Sequence, residues 1–154
     1  MSFAALFMLL IIAQTSQGLT WFNAHRRCPK GWSWFSGHCY FFSKEKATIK
    51  DAITKCAYAV EGGRLAEVGG PREDKWLKLQ IKIRGMNRVW MGASDISDEG
   101  KFLKLSNAKS IKYTNWGKGQ PDDYKTEDCV ELLDRGTWND RNCVYKDFFI
   151  CEQA

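Results

Sequence analysis

The chain has 154 residues, 44% of them hydrophobic and 14% aromatic, with a formal net charge of +5. That apolar content excludes a disordered tail and is enough for the core of one domain. Nucleic acid is not an expected partner, because no basic motif is joined to an aromatic platform.

Phe3 to Ala13 is an uncharged apolar run, followed by Ser16 and Gly18, the small residues that a signal peptidase prefers. Residues 1–18 are therefore expected to be a signal peptide, although the usual basic n-region is missing. The run is too short to span a bilayer and no second one follows, so secretion without a membrane anchor is expected. Residues 19–27 form a short extension. It offers no room for a coiled-coil or collagen stalk, so any homo-oligomer would use the surfaces of the domain itself. Six cysteines in an exported chain are expected to be disulfide-bonded. Their number alone allows about 15 pairings.

Cys28 to Cys39 is a short aromatic loop with a Ser36-Gly37 turn signal, continued by Tyr40-Phe41-Phe42, and a hairpin with a local disulfide fits it. Ser43 is the expected N-cap of a first helix. Its apolar stripe is Ile49, Ala52, Ile53, Cys56, Ala57 and Val60, and Gly62-Gly63 stops it. Pro71 opens a second segment that Gly85 closes. There Leu77, Leu79, Ile81 and Ile83 alternate with polar residues at strand period. The proline start and the Glu73-Asp74 first turn favour a helix. Lys44, Lys46, Lys50 and Lys55, like Lys75, Lys78 and Lys82, fall at helical spacing. They read as solvated helix faces, with a polyanion-binding surface as the alternative. From Val89 onward, short strands are expected at Val89–Met91, Ile111–Tyr113, Val130–Leu133 and Phe148–Cys151. The long polar segments between them are of the kind that carries function.

The densest run of oxygen donors is Gln120-Pro121-Asp122-Asp123-Tyr124-Lys125-Thr126-Glu127-Asp128-Cys129, with four carboxylates and one side-chain amide. Calcium takes about six to eight oxygen ligands of this kind. Adjacent side chains of an extended segment point to opposite sides, so the pairs Asp122/Asp123 and Glu127/Asp128 suit two ions. Trp138-Asn139-Asp140 adds an amide and a carboxylate behind an aromatic anchor. A regular strand would splay Asn139 from Asp140, so a turn or bulge is expected there. The bland alternative is two solvated acidic loops and a core tryptophan. Cys129 and Cys143 flank the interval between the two segments, and a disulfide there would tie them together.

These residues carry a resemblance to the C-type lectin-like domains, and within them to single-domain invertebrate lectins of the perlucin-like group. It runs from Cys28 to Cys151 through landmarks in order: the Cys28/Cys39 hairpin, Cys56, Val89-Trp90-Met91-Gly92, Gln120-Pro121-Asp122, Glu127-Asp128-Cys129, Trp138-Asn139-Asp140, Cys143 and Phe149-Ile150-Cys151. The resemblance implies an α+β fold over residues 28–154, with two helices packed on short antiparallel sheets and long calcium-binding loops. It implies disulfides Cys28–Cys39, Cys56–Cys151 and Cys129–Cys143, and a cis bond before Pro121. It implies Ca2+ as cofactor, held at a principal site by Gln120, Asp122, Glu127, Asn139 and Asp140, which also bind the sugar. An auxiliary calcium site would use Asp95, Glu99, Asp123, Glu127 and Asp128.

In that family Gln-Pro-Asp tends to accompany galactose-type binding, and Tyr124 stands where an aromatic often stacks on the sugar. This chain departs from many galactose-type members in having Lys125-Thr126 instead of a glycine-rich run. The expected function is a secreted, calcium-dependent, galactose-type lectin in glycan or microbe recognition. A protein-binding or mineral-matrix module on the same fold is the rival. An enzyme is not expected. The two histidines, His25 and His38, lie near or inside the first cysteine loop, and no nucleophile–base motif is present.

Overall fold

The structure, a computed structural model, describes residues 28–154. The expected signal peptide and extension, residues 1–27, lie outside the described residues. The elements in chain order are β1 (Ser33–Phe35), β2 (His38–Phe42), α1 (Ile49–Ala59), β3 (Arg64–Leu65), α2 (Pro71–Ile83), β4 (Arg88–Ser94), β5 (Leu103–Lys104), β6 (Cys129–Leu133), β7 (Trp138–Arg141) and β8 (Phe148–Gln153). The strands are ordered β1-β2-β8-β4-β6-β7, with β3 also on β8 and β5 also on β4. Every strand pairing is antiparallel except β4 with β8, which joins the two antiparallel sets.

Helix α1 begins later than its sequence suggests. Thr48, not Ser43, is the N-cap, its hydroxyl accepting from Asp51 N at 3.2 Å. Ser43 is occupied elsewhere: its Oγ accepts from Phe149 N and donates to Glu45 O. Ala47 pairs with Asp147 through backbone bonds in both directions. These ties keep residues 43–47 extended along the start of β8. The buried face of α1 is also narrower than its stripe, with Ile49, Ala52 and Cys56 inside and Ile53 and Ala57 exposed.

The ambiguous segment is helix α2. Its strand-like alternation places Leu77 and Ile81 one turn apart in the core and leaves Leu79 and Ile83 exposed. Ile111–Tyr113, expected as a strand, is loop. It meets its neighbours through Ile111 N to Phe102 O, and its side chains pack against the core.

Strand β4 divides the interior. Val89, Met91 and Ala93 face a cluster with Leu77, Ile81, Val130, Leu132, Trp138 and Ile150. Trp90 faces the opposite cluster with Ile49, Ala52, Cys56, Leu65 and Phe149. Gly92 lies where β3 crosses closest: its N–H bonds Ala66 O at 2.8 Å, and a Cβ there would stand 2.8 Å from Leu65 O. Three disulfides staple the fold: Cys28–Cys39 across the hairpin, Cys56–Cys151 from α1 to β8, and Cys129–Cys143 from β6 to the turn after β7.

Candidate functional site

The segment between β5 and β6 wanders over the surface before entering the sheet at Cys129. Its last part coils sharply. The Gln120–Pro121 peptide is cis, and Asp123, Lys125 and Thr126 adopt positive φ of 46°, 57° and 65°. Such values are uncommon for residues with a Cβ. Here they fold the acidic run back toward β7. The carboxylates of Asp122, Glu127 and Asp140 come together, one oxygen of each within 4.8 Å of the others. Asp140 is fully buried, Glu127 half-buried and Asp122 exposed, so the cluster opens from the sheet toward solvent.

Asp140 organises this corner. Its Oδ2 accepts from Asp122 N at 2.9 Å and Asp123 N at 2.8 Å, locking the coil onto β7. Its Oδ1 is buried and has no hydrogen-bond partner among the described residues. Gln120 Oε1 is in the same condition. A buried acceptor without a donor is costly and calls for a partner that can supply one or a positive charge. The electrostatics agree. Burial, then the charges of Asp140 and Asp122, push the Glu127 carboxyl above the usual carboxylate range.

Asn139 is placed differently from expectation. No bulge separates it from Asp140, because the β6–β7 register runs unbroken, pairing Val130 with Asp140 and Glu131 with Asn139. The two side chains leave β7 on opposite faces. β7 is, however, the last strand of the sheet. Residues 115–117 cover its outer edge only at Trp138, through Trp138 N to Asn115 O and Gly117 N to Trp138 O. Side chains from both faces of such an edge can reach a group lying beyond it.

The other acidic residues form a looser neighbourhood. Asp95 is buried, its N–H bonds Asp128 O, and its Oδ1 has no partner among the described residues. Burial raises the Asp95 carboxyl, with Asp128 adding to the effect. Glu99 is raised by desolvation and then by the charges of Asp95 and Asp123. Asp123 Oδ1 accepts from Glu127 N at 3.1 Å, which links the two neighbourhoods. Among the described residues, only Asp122, Glu127 and Asp140 gather as a close acidic triad. Tyr124 is 63% exposed, with Lys125 Nζ 4.9 Å from its ring centre.

Two supports escape the sequence reading. Asp74 of α2 is buried and accepts from Trp138 Nε1 at 2.8 Å and from Asn115 Nδ2 at 3.0 Å, pinning the start of β7 to the helix. In sequence it reads only as a favourable first-turn acid. Glu131, fully buried, is reached by Arg88 Nη1 at 2.7 Å and by Asn139 Nδ2 at 3.2 Å. A single charge inside the apolar run Cys129–Leu133 was its only sequence signal.

Fold and site together define a disulfide-stapled α+β binding module that carries an acidic, oxygen-rich pocket at a sheet edge. The chain belongs to the C-type lectin domain family: residues 45–153 match the Lectin C-type domain. It is 36% identical over 132 residues to CD209 antigen-like protein A of Mus musculus, covering 83% of this chain and 52% of that protein. C-type lectin domain family 4 member M of Nomascus concolor is 34% identical over 129 residues, 82% of this chain and 31% of its own length. The chain thus spans about a third of that relative. The mouse scavenger receptor C-type lectin carbohydrate-recognition domain superimposes with a TM-score of 0.76 at 34% identity, over 82% of this chain and 95% of that one. The family is one of carbohydrate-binding lectins. These matches bear on the domain family and leave the perlucin-like subgroup aside.

Proposed function

We propose that this chain is a secreted, calcium-dependent lectin of galactose type, acting in glycan or microbe recognition. The observation that carries the reading is the convergence of Asp122, Glu127 and Asp140, with Asp140 Oδ1 and Gln120 Oε1 buried and without a hydrogen-bond partner among the described residues. Acceptor-only oxygens held this close repel one another, and a hard divalent cation relieves that repulsion. Gln120, Asp122, Glu127, Asn139 and Asp140 would hold calcium, which when bound supplies coordination positions for two vicinal sugar hydroxyls. The same side chains give direction: carboxylates accept hydroxyl protons, and the Gln120 amide N–H donates to hydroxyl lone pairs. Asp95, Glu99, Asp123, Glu127 and Asp128 would form an auxiliary calcium site, and the raised carboxyls of Asp95, Glu99 and Glu127 suit a second cation.

Galactose preference follows from the order amide then acid at Gln120 and Asp122, which sets donor and acceptor positions around the sugar. Tyr124, exposed beside them, offers a ring for the apolar face of the sugar. Export by a leader at residues 1–18 and oligomers built from domain surfaces belong to the same proposal. Among the described residues no helix is long and apolar enough to cross a membrane. The role is binding rather than catalysis.

A glycan array read in calcium and again in chelator tests the proposal. Calcium-dependent retention of terminal galactosides is the expected result. Binding that survives chelator, or no glycan binding at all, would overturn it and leave a protein-binding or mineral-matrix module as the reading.

A further inference from the structure

We infer that Glu131 is a positioning residue that decides which end of the Asn139 amide faces the site. The inference rests on the calcium reading above and assigns a part to a residue outside the ligand set.

The two ends of an asparagine amide have nearly the same shape and opposite polarity. Their orientation must therefore be imposed by neighbours. Asn139 and Glu131 are direct cross-strand partners on one face of the β6–β7 pair. The amide nitrogen lies 3.2 Å from Glu131 Oε1 and also against the Asp140 carbonyl oxygen. Both neighbours are acceptors, so an oxygen in that position would face two sets of lone pairs. The nitrogen end is fixed inward and Oδ1 is turned away from both. In the calcium reading Asn139 is a ligand, and with the amide held this way it would offer the cation an oxygen, whereas the reversed amide would present N–H donors to it.

Glu131 is able to impose this because it is itself held. It is fully buried. Arg88 Nη1 stands 2.7 Å from Oε1, and Arg141 Nε stands 3.7 Å from Oε2. Arg141 also pairs with the buried Asp147 at 3.0 Å, which anchors the arrangement in turn. The carboxylate thus has a fixed place behind Asn139 before any ligand arrives. Outer-shell partners of metal ligands often matter about 10–100-fold in affinity, and this is such a position.

The test compares Glu131→Gln, which keeps an acceptor at the Oε1 position, with Glu131→Met, which removes it at similar length. Calcium affinity is measured by titration calorimetry, stability by melting in chelator, and orientation by hydrogen exchange of the Asn139 side-chain amide in the metal-free protein. Glu131→Gln should stay within about threefold of wild type in calcium affinity, and Glu131→Met should weaken it about tenfold or more and speed amide exchange. Leu77→Ala, a core substitution in α2, controls for lost stability. It should lower the melting temperature without weakening calcium binding. Equal loss of affinity in Glu131→Met and Leu77→Ala, or wild-type affinity in Glu131→Met, would overturn the inference. Should Glu131→Met fail to fold, the wild-type amide decides: slow exchange in chelator supports the inference and free-asparagine exchange overturns it. A wild-type protein that takes up no calcium would sink the calcium reading, and the amide-exchange comparison would still report on Glu131.

Discussion

At the scale of single residues, the site holds buried acceptors, Asp140 Oδ1 and Gln120 Oε1, that have no hydrogen-bond partner among the described residues. Asp140 spends one oxygen on the backbone of Asp122 and Asp123 and keeps the other buried and free. This has a pH consequence. Glu127, Asp95 and Glu99 are held above their usual range chiefly by desolvation, and burial pushes Glu131 up to about 7. A carboxyl with a raised folded pKa stabilises the fold fully below its ordinary value and loses that contribution as pH rises through the folded value. The metal-free domain should therefore lose melting temperature between about pH 5 and pH 7.5. Calcium competes with the proton on Glu127, so the calcium-induced gain in melting temperature should grow as pH rises. Paired thermal scans in chelator and in calcium check both slopes, and a gain independent of pH would remove Glu127 from the ligands. Gln120→Glu with Asp122→Asn keeps the oxygen count and exchanges the positions of amide and acid. Preference on a glycan array should move from galactose-type toward mannose-type ligands, and an unchanged pattern would place selectivity in other contacts such as Tyr124.

At the scale of elements, position is set by packing and staples. β4 approaches β3 so closely that Gly92 leaves no space for a methyl group, since Leu65 O would lie 2.8 Å from it. Gly92→Ala should cost about 1–3 kcal/mol, as overpacking against backbone does, with the chemical midpoint of unfolding as the measure. The disulfides divide by role. Cys129–Cys143 closes a 14-residue separation and ties the start of β6 to the turn beyond β7. Cys28–Cys39 closes 11 residues of the remote hairpin. Their entropic effects on the unfolded chain are similar, about 3 kcal/mol in the loop-closure model. Replacing Cys129 and Cys143 by alanine should therefore weaken calcium binding as well as stability, and replacing Cys28 and Cys39 should lower stability alone. Calorimetric titration of both double variants separates the two effects. Cys56–Cys151 spans 95 residues, and in the same model contributes about 4–5 kcal/mol.

At the scale of the whole molecule, β8 is the keystone. It lies between β2 and β4 in the sheet, pairs with β3, and is bridged to α1 through Cys151. β6 and β7 lie at the far end of the same sheet, where a free edge meets the coiled loop. Because the loop is held to β7 through Asp140 alone among the cluster's side chains, ligand binding should stabilise the whole domain by mass action. At a calcium concentration about 100-fold above its dissociation constant the gain is about 2.7 kcal/mol. A melting temperature that rises with the logarithm of calcium concentration and saturates nowhere in that range is the expected record, and indifference to calcium would count against the site.

The sequence by itself determined the residue types and their order. It supplied the oxygen-rich run at residues 120–128, the Trp138-Asn139-Asp140 triplet, the apolar stripe of α1, the proline start and first-turn acids of α2 and the six cysteines, because composition, spacing and local periodicity are written in the chain. It misplaced the start of α1, since the hydroxyl of Ser43 is claimed by Phe149, more than a hundred residues away. It expected a turn or bulge between Asn139 and Asp140 where β7 keeps an unbroken register, and it passed over Glu131 and Asp74. Those outcomes belong to the tertiary structure alone. Hydrogen bonds and burial between distant segments decide them, and nothing in the local pattern of a strand records which neighbour will lie beside it.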